Sequence, residues 1–262
     1  MRNILVDIGN TSIGVYCLNN KGLPFSFKCF DSKDLDTCFK ALFGDLGGEE
    51  GLIYISSVNS EKTKLVKNLI AYKDNLSIRV LHNDEMAEKV KELGYTIPNL
   101  HILGSDLLYD ILGLEPSTLL ADYGTASKIL ALDKDKVFLG GMIGPGLNII
   151  NRSLFKSTEL LGDYIVEMPP DYLSYDTKDA INASTVFGEG MKLVEAYQKC
   201  KADLKDENLK LVVTGGDGKI LAKALKKLSF EDFILDEMVI YKGMAKALDL
   251  KDELFKKTEE GN

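Results

Sequence analysis

Ile4-Leu5-Val6-Asp7-Ile8-Gly9-Asn10-Thr11 and Leu119-Leu120-Ala121-Asp122-Tyr123-Gly124-Thr125 are the two stretches whose reading decides the fold. Each is a short apolar run, as a buried strand requires, stopped by Asp, one variable residue, Gly and small polar residues. Each leads into a further strand-like run, Ile13–Leu18 in the first case and 129–132 in the second. A second kind of junction also recurs: the run 52–55 ends at Ser56-Ser57, and 211–213 ends at Thr214-Gly215-Gly216-Asp217-Gly218. The same grammar in the same order predicts an internal duplication. Helical spacing over 35–43, 63–70, 105–114, 147–161 and 177–202 interleaves with these strands, which points to an α/β fold. Asn19-Asn20-Lys21-Gly22 and Asp133-Lys134-Asp135 read as turns, with a strand expected at 136–139. We expect two duplicated halves, residues 1–116 and 117–262, facing each other across a cleft.

The composition narrows the chemistry. The 262 residues carry 32 Lys+Arg against 40 Asp+Glu, a formal charge of −8, with 45% hydrophobic and 27% charged residues. This is an ordinary soluble balance, long enough to bury a core without disulfide or metal staples. The acidic excess argues against nucleic-acid and anionic-membrane partners. Cys17, Cys29, Cys38 and Cys200 show no CxxC spacing, and with only His82 and His101 available a zinc site is not expected. Asp7 interrupts the first apolar run, so no signal peptide is read, and no run reaches the roughly 20 residues of a membrane span. A cytoplasmic setting is the expectation.

Asp7-Ile8-Gly9-Asn10-Thr11 can turn tightly while offering backbone N–H groups to phosphate oxygens, and an Asp at a strand end can hold Mg²⁺ directly or through water. The same pentapeptide also reads as a plain hairpin turn. Asp122-Tyr123-Gly124-Thr125 is its counterpart, and together the two loops can cradle nucleotide phosphates. Neither is a P-loop, and no GxGxxG stands at a strand–helix junction. The glycines from Gly140 to Gly146 read as a loop that admits a ligand or a neighbouring backbone, or as a sharp turn into the helix that follows. Thr214-Gly215-Gly216-Asp217 reads either as a rest for an adenosine or as a simple strand-to-helix connection.

Taken in order, the chain shows Asp7-x-Gly-Asn-Thr11, Ser56-Ser57-Val58, Tyr95-x-x-Pro98, Gly104-x-Asp106 and Asp122-x-Gly-Thr-Ala126. Gly140-Gly-x-Ile-x-Pro-Gly-Leu147, Thr177-x-x-Ala180-Ile181 and Thr214-Gly-Gly-Asp217 follow. This series resembles the type III pantothenate kinases, from residue 4 to about residue 220. The resemblance implies duplicated ribonuclease-H-like halves of the sugar-kinase/actin superfamily, and ATP-dependent phosphorylation of pantothenate at the entry to coenzyme A synthesis. It implies a homodimer using Mg²⁺ and a monovalent cation, K⁺ or NH₄⁺. By the same resemblance Asp7 would organise Mg²⁺, and Gly9, Asn10 and Thr11 would contact phosphate. Asp106 would be the general base for the pantothenate hydroxyl. Asp122 would lie near the monovalent cation, and Gly124, Thr125, Gly215 and Gly216 would bind the nucleotide. Tyr95 and Gly104 would line the substrate pocket, with Thr177 reaching in from the other subunit.

Three departures stand out. The family's arginine after the base is Leu107 here, which removes a bidentate clamp for the pantothenate carboxylate. Lys128 or Arg152 are the candidates to compensate. A basic residue beyond Thr11 is replaced by Ile13-Gly14. Ser127-Lys128-Ile129-Leu130 follows the second Asp loop where small polar residues and another Asp are usual. Lys128 either brings its ammonium in as a substitute for the monovalent cation, or points to solvent from its strand. A catalytically weak, nucleotide-binding regulatory dimer and a kinase for another small hydroxy acid therefore stand as alternatives.

Overall fold

The structure, a computed structural model, describes residues 1–18, 25–29 and 32–250, without the side chains of 25–29, 32 and 33. The turn expected at Asn19-Asn20-Lys21-Gly22 lies outside the described residues. The chain forms two compact units, residues 1–113 with the helix α8 (Val239–Ala247), and residues 114–238. The first boundary falls within a few residues of the expected 116. The C-terminal helix departs from the expectation of two continuous halves, because it returns to the first unit.

The first unit is built on a sheet of order β3-β2-β1-β4-β5. Its strands are β1 (Arg2–Ile8), β2 (Ile13–Leu18), β3 (Phe25–Cys29), β4 (Gly51–Ser57) and β5 (Leu76–Val80). β1, β2 and β3 run antiparallel, whereas β1, β4 and β5 are parallel. β2 is buried along its whole length, so both sheet faces are covered. On one face Ile4, Val6, Ile8, Ile13, Val15, Ile53 and Ile55 pack with Leu35, Phe39 and Leu42 of α1 (Ser32–Leu46) and Val66 and Ile70 of α2 (Ser60–Ile70). Asn59 caps α2 by accepting from Lys62 N–H at 3.0 Å. The alternation of the strand puts Leu5 and Asp7 on the other face.

That second face belongs to α4 (Ser105–Gly113) and α8, which follow a short helix, α3 (Ala87–Glu92). α4 and α8 cross closely because glycines stand at the contact. A Cβ on Gly243 would lie 1.8 Å from Tyr109 O, and one on Gly113 would lie 2.1 Å from Val239 O. Nothing larger than hydrogen fits there.

The second unit repeats the pattern. Its sheet has the order β10-β9-β6-β7-β8, with β6 (Thr118–Tyr123), β7 (Ala126–Leu132), β8 (Phe138–Pro145), β9 (Lys210–Thr214) and β10 (Ile234–Leu235). Again three strands are antiparallel, β6 to β8, and β6, β9 and β10 are parallel. β6 matches β1 and β9 matches β4, which is the expected duplication of a ribonuclease-H-like sheet. Its core joins Leu119, Ala121, Tyr123, Leu211 and Val213 to Leu147 of α5 (Leu147–Lys156), Leu193 and Tyr197 of α6 (Thr177–Leu204) and Leu221 and Leu225 of α7 (Gly218–Lys227). One element differs from expectation. The glycine-rich run from Gly140 is strand, not loop, and β8 passes straight through it. A Cβ on Gly141 would sit 2.3 Å from Ile129 O, so this glycine lets the neighbouring strand's backbone approach. Cys17, Cys38 and Cys200 are free thiols.

Candidate active site

In the first unit the functional residues gather where β1 and β4 end. Gly9 N–H donates to Ser12 O at 3.0 Å and closes the hairpin turn, leaving Asn10 and Thr11 exposed at its tip. Asp7, half-buried, faces Gly14 on β2 and Ser56 on β4. Ser57 Oγ accepts from the Asn59 N–H at 3.0 Å and from the Thr63 hydroxyl at 2.7 Å, which pins the end of β4 to the start of α2. The same strand end holds α4, because the Ser105 hydroxyl donates to Ser57 O at 3.1 Å. Asp106 therefore enters the first turn of α4 at the sheet edge that carries Asp7. Its carboxylate folds back over Gly104, where a Cβ would lie 2.5 Å from Oδ1. The Gly104 carbonyl accepts from Leu108 N–H at 3.1 Å and opens the helix. The positive end of the helix dipole thus faces the Asp106 carboxylate. Carboxylates at the C-terminal edge of parallel strands stand where α/β sheets bind ligands.

Tyr95 does not present its hydroxyl to this edge. It is 4% exposed, donates to Leu112 O at 3.4 Å and accepts from Lys246 Nζ at 3.1 Å. Leu112 lies six residues past Asp106, about 9 Å along α4 at helical rise. The Tyr95 hydroxyl is committed to the packing of α4 against α8. Leu107 is half-buried and offers no cation.

The second unit assembles a different edge. Gly124 N–H donates to Ala126 O, and Gly146 N–H to Thr125 O, both at 3.0 Å. A Cβ on Gly146 would lie 2.0 Å from Gly124 O, so the end of β8 clamps the β6–β7 turn. Gly215 has φ +91°, and a Cβ there would meet Tyr123 O at 2.3 Å and Asp122 Oδ1 at 2.4 Å. Asp217 N–H donates to Tyr123 O at 2.8 Å. These contacts lock the Gly124-Thr125 turn to the Gly215-Gly216 turn, and Gly216 and Thr125 remain exposed. Asp122 pairs across the hairpin with Lys128, whose Nζ lies 2.5 Å from Asp122 Oδ2, with side-chain exposures of 12% and 15%. The alternative in which Lys128 points to solvent is thereby overturned. Behind this edge the Tyr123 hydroxyl donates to Glu189 Oε2 at 3.0 Å, and burial, with the Glu189 charge, pushes the phenol up.

A family profile for type III pantothenate kinase matches residues 3–199. The chain belongs to the type III pantothenate kinase family. A relative of that name from Christiangramia forsetii is 29% identical over 89% of this chain and 95% of its own length. The chain aligns with 54% of the length of a relative from Agathobacter rectalis and 97% of one from Finegoldia magna. A Campylobacter jejuni structure described as a Baf family transcriptional activator superposes with a TM-score of 0.55 at 22% identity, over 94% of this chain and 97% of that one. ParM of Bacillus thuringiensis, solved with AMPPNP, gives 0.50 at 12% identity over 98% and 99%. These likenesses fix the fold as actin-like.

Mg²⁺ keeps several waters and is commonly held by one or two carboxylates plus nucleotide phosphates. A single strand-end Asp7 suits that donor set. Among the described residues no three His, Cys, Asp or Glu side chains come together as a metal cage. A monovalent cation fits Asp122 poorly, because Oδ2 is already taken by an ammonium. Thr177 is exposed at the start of α6, whose N-cap Asp176 accepts from Asp179 N–H at 3.0 Å. It lines a cavity of about 660 Å³ between α5 and α6, with Ile150, Leu154 and Ile181. Arg152 is exposed on α5. No helix among the described residues is long and apolar enough to cross a membrane. Ser105, whose hydroxyl ties the start of α4 to β4, and Tyr241 of α8 are missing from the sequence reading. Ser105 is adjacent to the motif and readable as a helix-start serine, whereas Tyr241 carries no local signal.

Proposed function

We infer that the chain carries out its family's reaction, ATP-dependent phosphorylation of pantothenate. The observation that carries this reading is the Ser105–Ser57 bond, which sets the Asp106 carboxylate at the sheet edge of Asp7. Asp106 accepts the proton of the substrate's primary hydroxyl as its oxygen attacks the γ-phosphorus, and ADP leaves. An alcohol needs that help, and the remainder of phosphoryl transfer is positioning and charge neutralisation. Asp7 would hold Mg²⁺ through oxygen and water, and the ion would supply charge neutralisation for the transferring phosphoryl group. In the first unit Gly9, Asn10 and Thr11 offer backbone and small polar groups to phosphate; in the second, the locked turns of Gly124, Thr125, Gly215 and Gly216 offer a nucleotide the same kind of groups. Gly104 leaves room for the Asp106 carboxylate.

Lys128 serves as a built-in monovalent cation: its ammonium neutralises Asp122 in the second unit, where the family resemblance implies K⁺ or NH₄⁺. The half-buried ion pair supports this reading. The α5–α6 face, with Thr177 on its rim and Leu154, Phe155 and Tyr175 exposed beside it, is assigned to a second copy of the chain. Asp106→Asn tests the core of the reading. With ATP and pantothenate, kcat should fall about 10²–10⁴-fold while the thermal midpoint holds. Near-normal turnover would remove Asp106 as base, and a wild type that leaves pantothenate unchanged would remove the substrate.

A further inference from the structure

The sheet face that carries Asp7 also carries Gly14, its partner across the β1–β2 hairpin. A Cβ built on Gly14 would lie 2.2 Å from the hydroxyl oxygen of Tyr241 and 3.4 Å from the ring carbon that bears it. The hydroxyl occupies the space that any other residue at position 14 would fill. Tyr241 comes from α8, and its ring lies against Tyr16 at a centroid separation of 5.5 Å and an interplanar angle of 31°. Tyr16 is two residues from Gly14 on the same face of β2 and is 2% exposed. The ring is therefore held in the sheet, with its oxygen directed one step further toward the hairpin end.

Directly paired residues of an antiparallel ladder have Cβ atoms about 5 Å apart. A hydroxyl at the Cβ position of residue 14 is within reach of the Asp7 carboxylate, directly or through one water. We propose that Tyr241 is a positioning residue for Asp7: its O–H donates to the carboxylate, or to a water on it, and fixes the rotamer in which Asp7 meets Mg²⁺. Gly14 and Tyr241 are a matched pair, the glycine leaving the space and the C-terminal helix filling it with a donor. The proposal rests on the reading of Asp7 as the Mg²⁺ residue.

Tyr241→Phe keeps the ring on Tyr16 and removes only the oxygen. Losing a hydrogen bond behind a metal ligand typically costs 10–100-fold in metal affinity. Mn²⁺ binding to the protein–ADP complex, read by water-proton relaxation, should weaken by about that factor. kcat should fall comparably while the KM for pantothenate holds. Gly14→Ala, whose methyl displaces the hydroxyl, should give the same loss, and the double variant should lose no more than either single one. Unchanged Mn²⁺ affinity in Tyr241→Phe, or losses that multiply in the double variant, would overturn the proposal. So would a wild type that binds no Mn²⁺ with ADP. If Gly14→Ala does not fold, the Tyr241→Phe measurement decides alone. A wild type that binds Mn²⁺ and ADP but leaves pantothenate untouched refutes the substrate reading, with the Tyr241 comparison still readable on the metal.

Discussion

The hairpin β1–β2 and the hairpin β6–β7 share one backbone plan and differ in what stands opposite the acid. Asp7 faces Gly14, and Asp122 faces Lys128. In the first unit the glycine opens a space that Tyr241 enters from α8. In the second the lysine closes on the carboxylate at 2.5 Å. A duplicated strand end thus yields one acid facing a glycine, proposed above to hold the metal, and one acid neutralised by a lysine. The difference is made by a single cross-strand position, not by the acids themselves.

The sharpest way to break that comparison is to remove each acid in turn. Asp7→Asn should lower kcat about 100-fold or more, because metal neutralisation of a transferring phosphoryl group contributes several kcal/mol. Its thermal midpoint should stay near wild type. Asp122→Asn should do the opposite first: it strands a half-buried ammonium, and denaturant unfolding should show a loss of about 3 kcal/mol. Equal stability losses in the two variants would erase the distinction. Gly215→Ala sharpens the picture of the second edge, since a methyl there meets Tyr123 O and Asp122 Oδ1 and forces a side chain into a positive φ. A cost of about 2 kcal/mol is expected, with weaker ADP binding by calorimetry. The smallest effect should come from salt. Wild-type turnover should respond little to K⁺ over Na⁺, whereas Lys128→Met should acquire a stimulation of a few-fold. Strong K⁺ dependence in the wild type would remove Lys128 as the cation.

Much of this was legible from residues alone, and the reasons are physical. Buried strands need apolar runs, so β1, β2, β4, β6, β7 and β9 announce themselves, and their terminal Asp, Gly and small polar residues mark the turns. Asp7 and Asp122 were legible because each ends such a run at a turn, whereas Asp106 was reached only through the family resemblance. β8 was not, since its glycines mimic a loop; only the Ile129 carbonyl lying against Gly141 explains them. The salt bridge of Lys128 needs the register of β6 on β7, which spacing alone does not give. The burial of the Tyr95 hydroxyl depends on Lys246, and the place of Tyr241 depends on Gly14. Lys246 and Tyr241 both come from α8, and contacts made across so much chain leave no mark in local pattern.

The return of α8 has a consequence for the order of events during synthesis. The second unit, 114–238, is continuous and is translated in full before α8. The first unit, though begun first, must wait with one face of β1 and α4 uncovered until α8 emerges. Synthesis order and completion order are inverted, and the unit that holds Asp7 and Asp106 is the last to close.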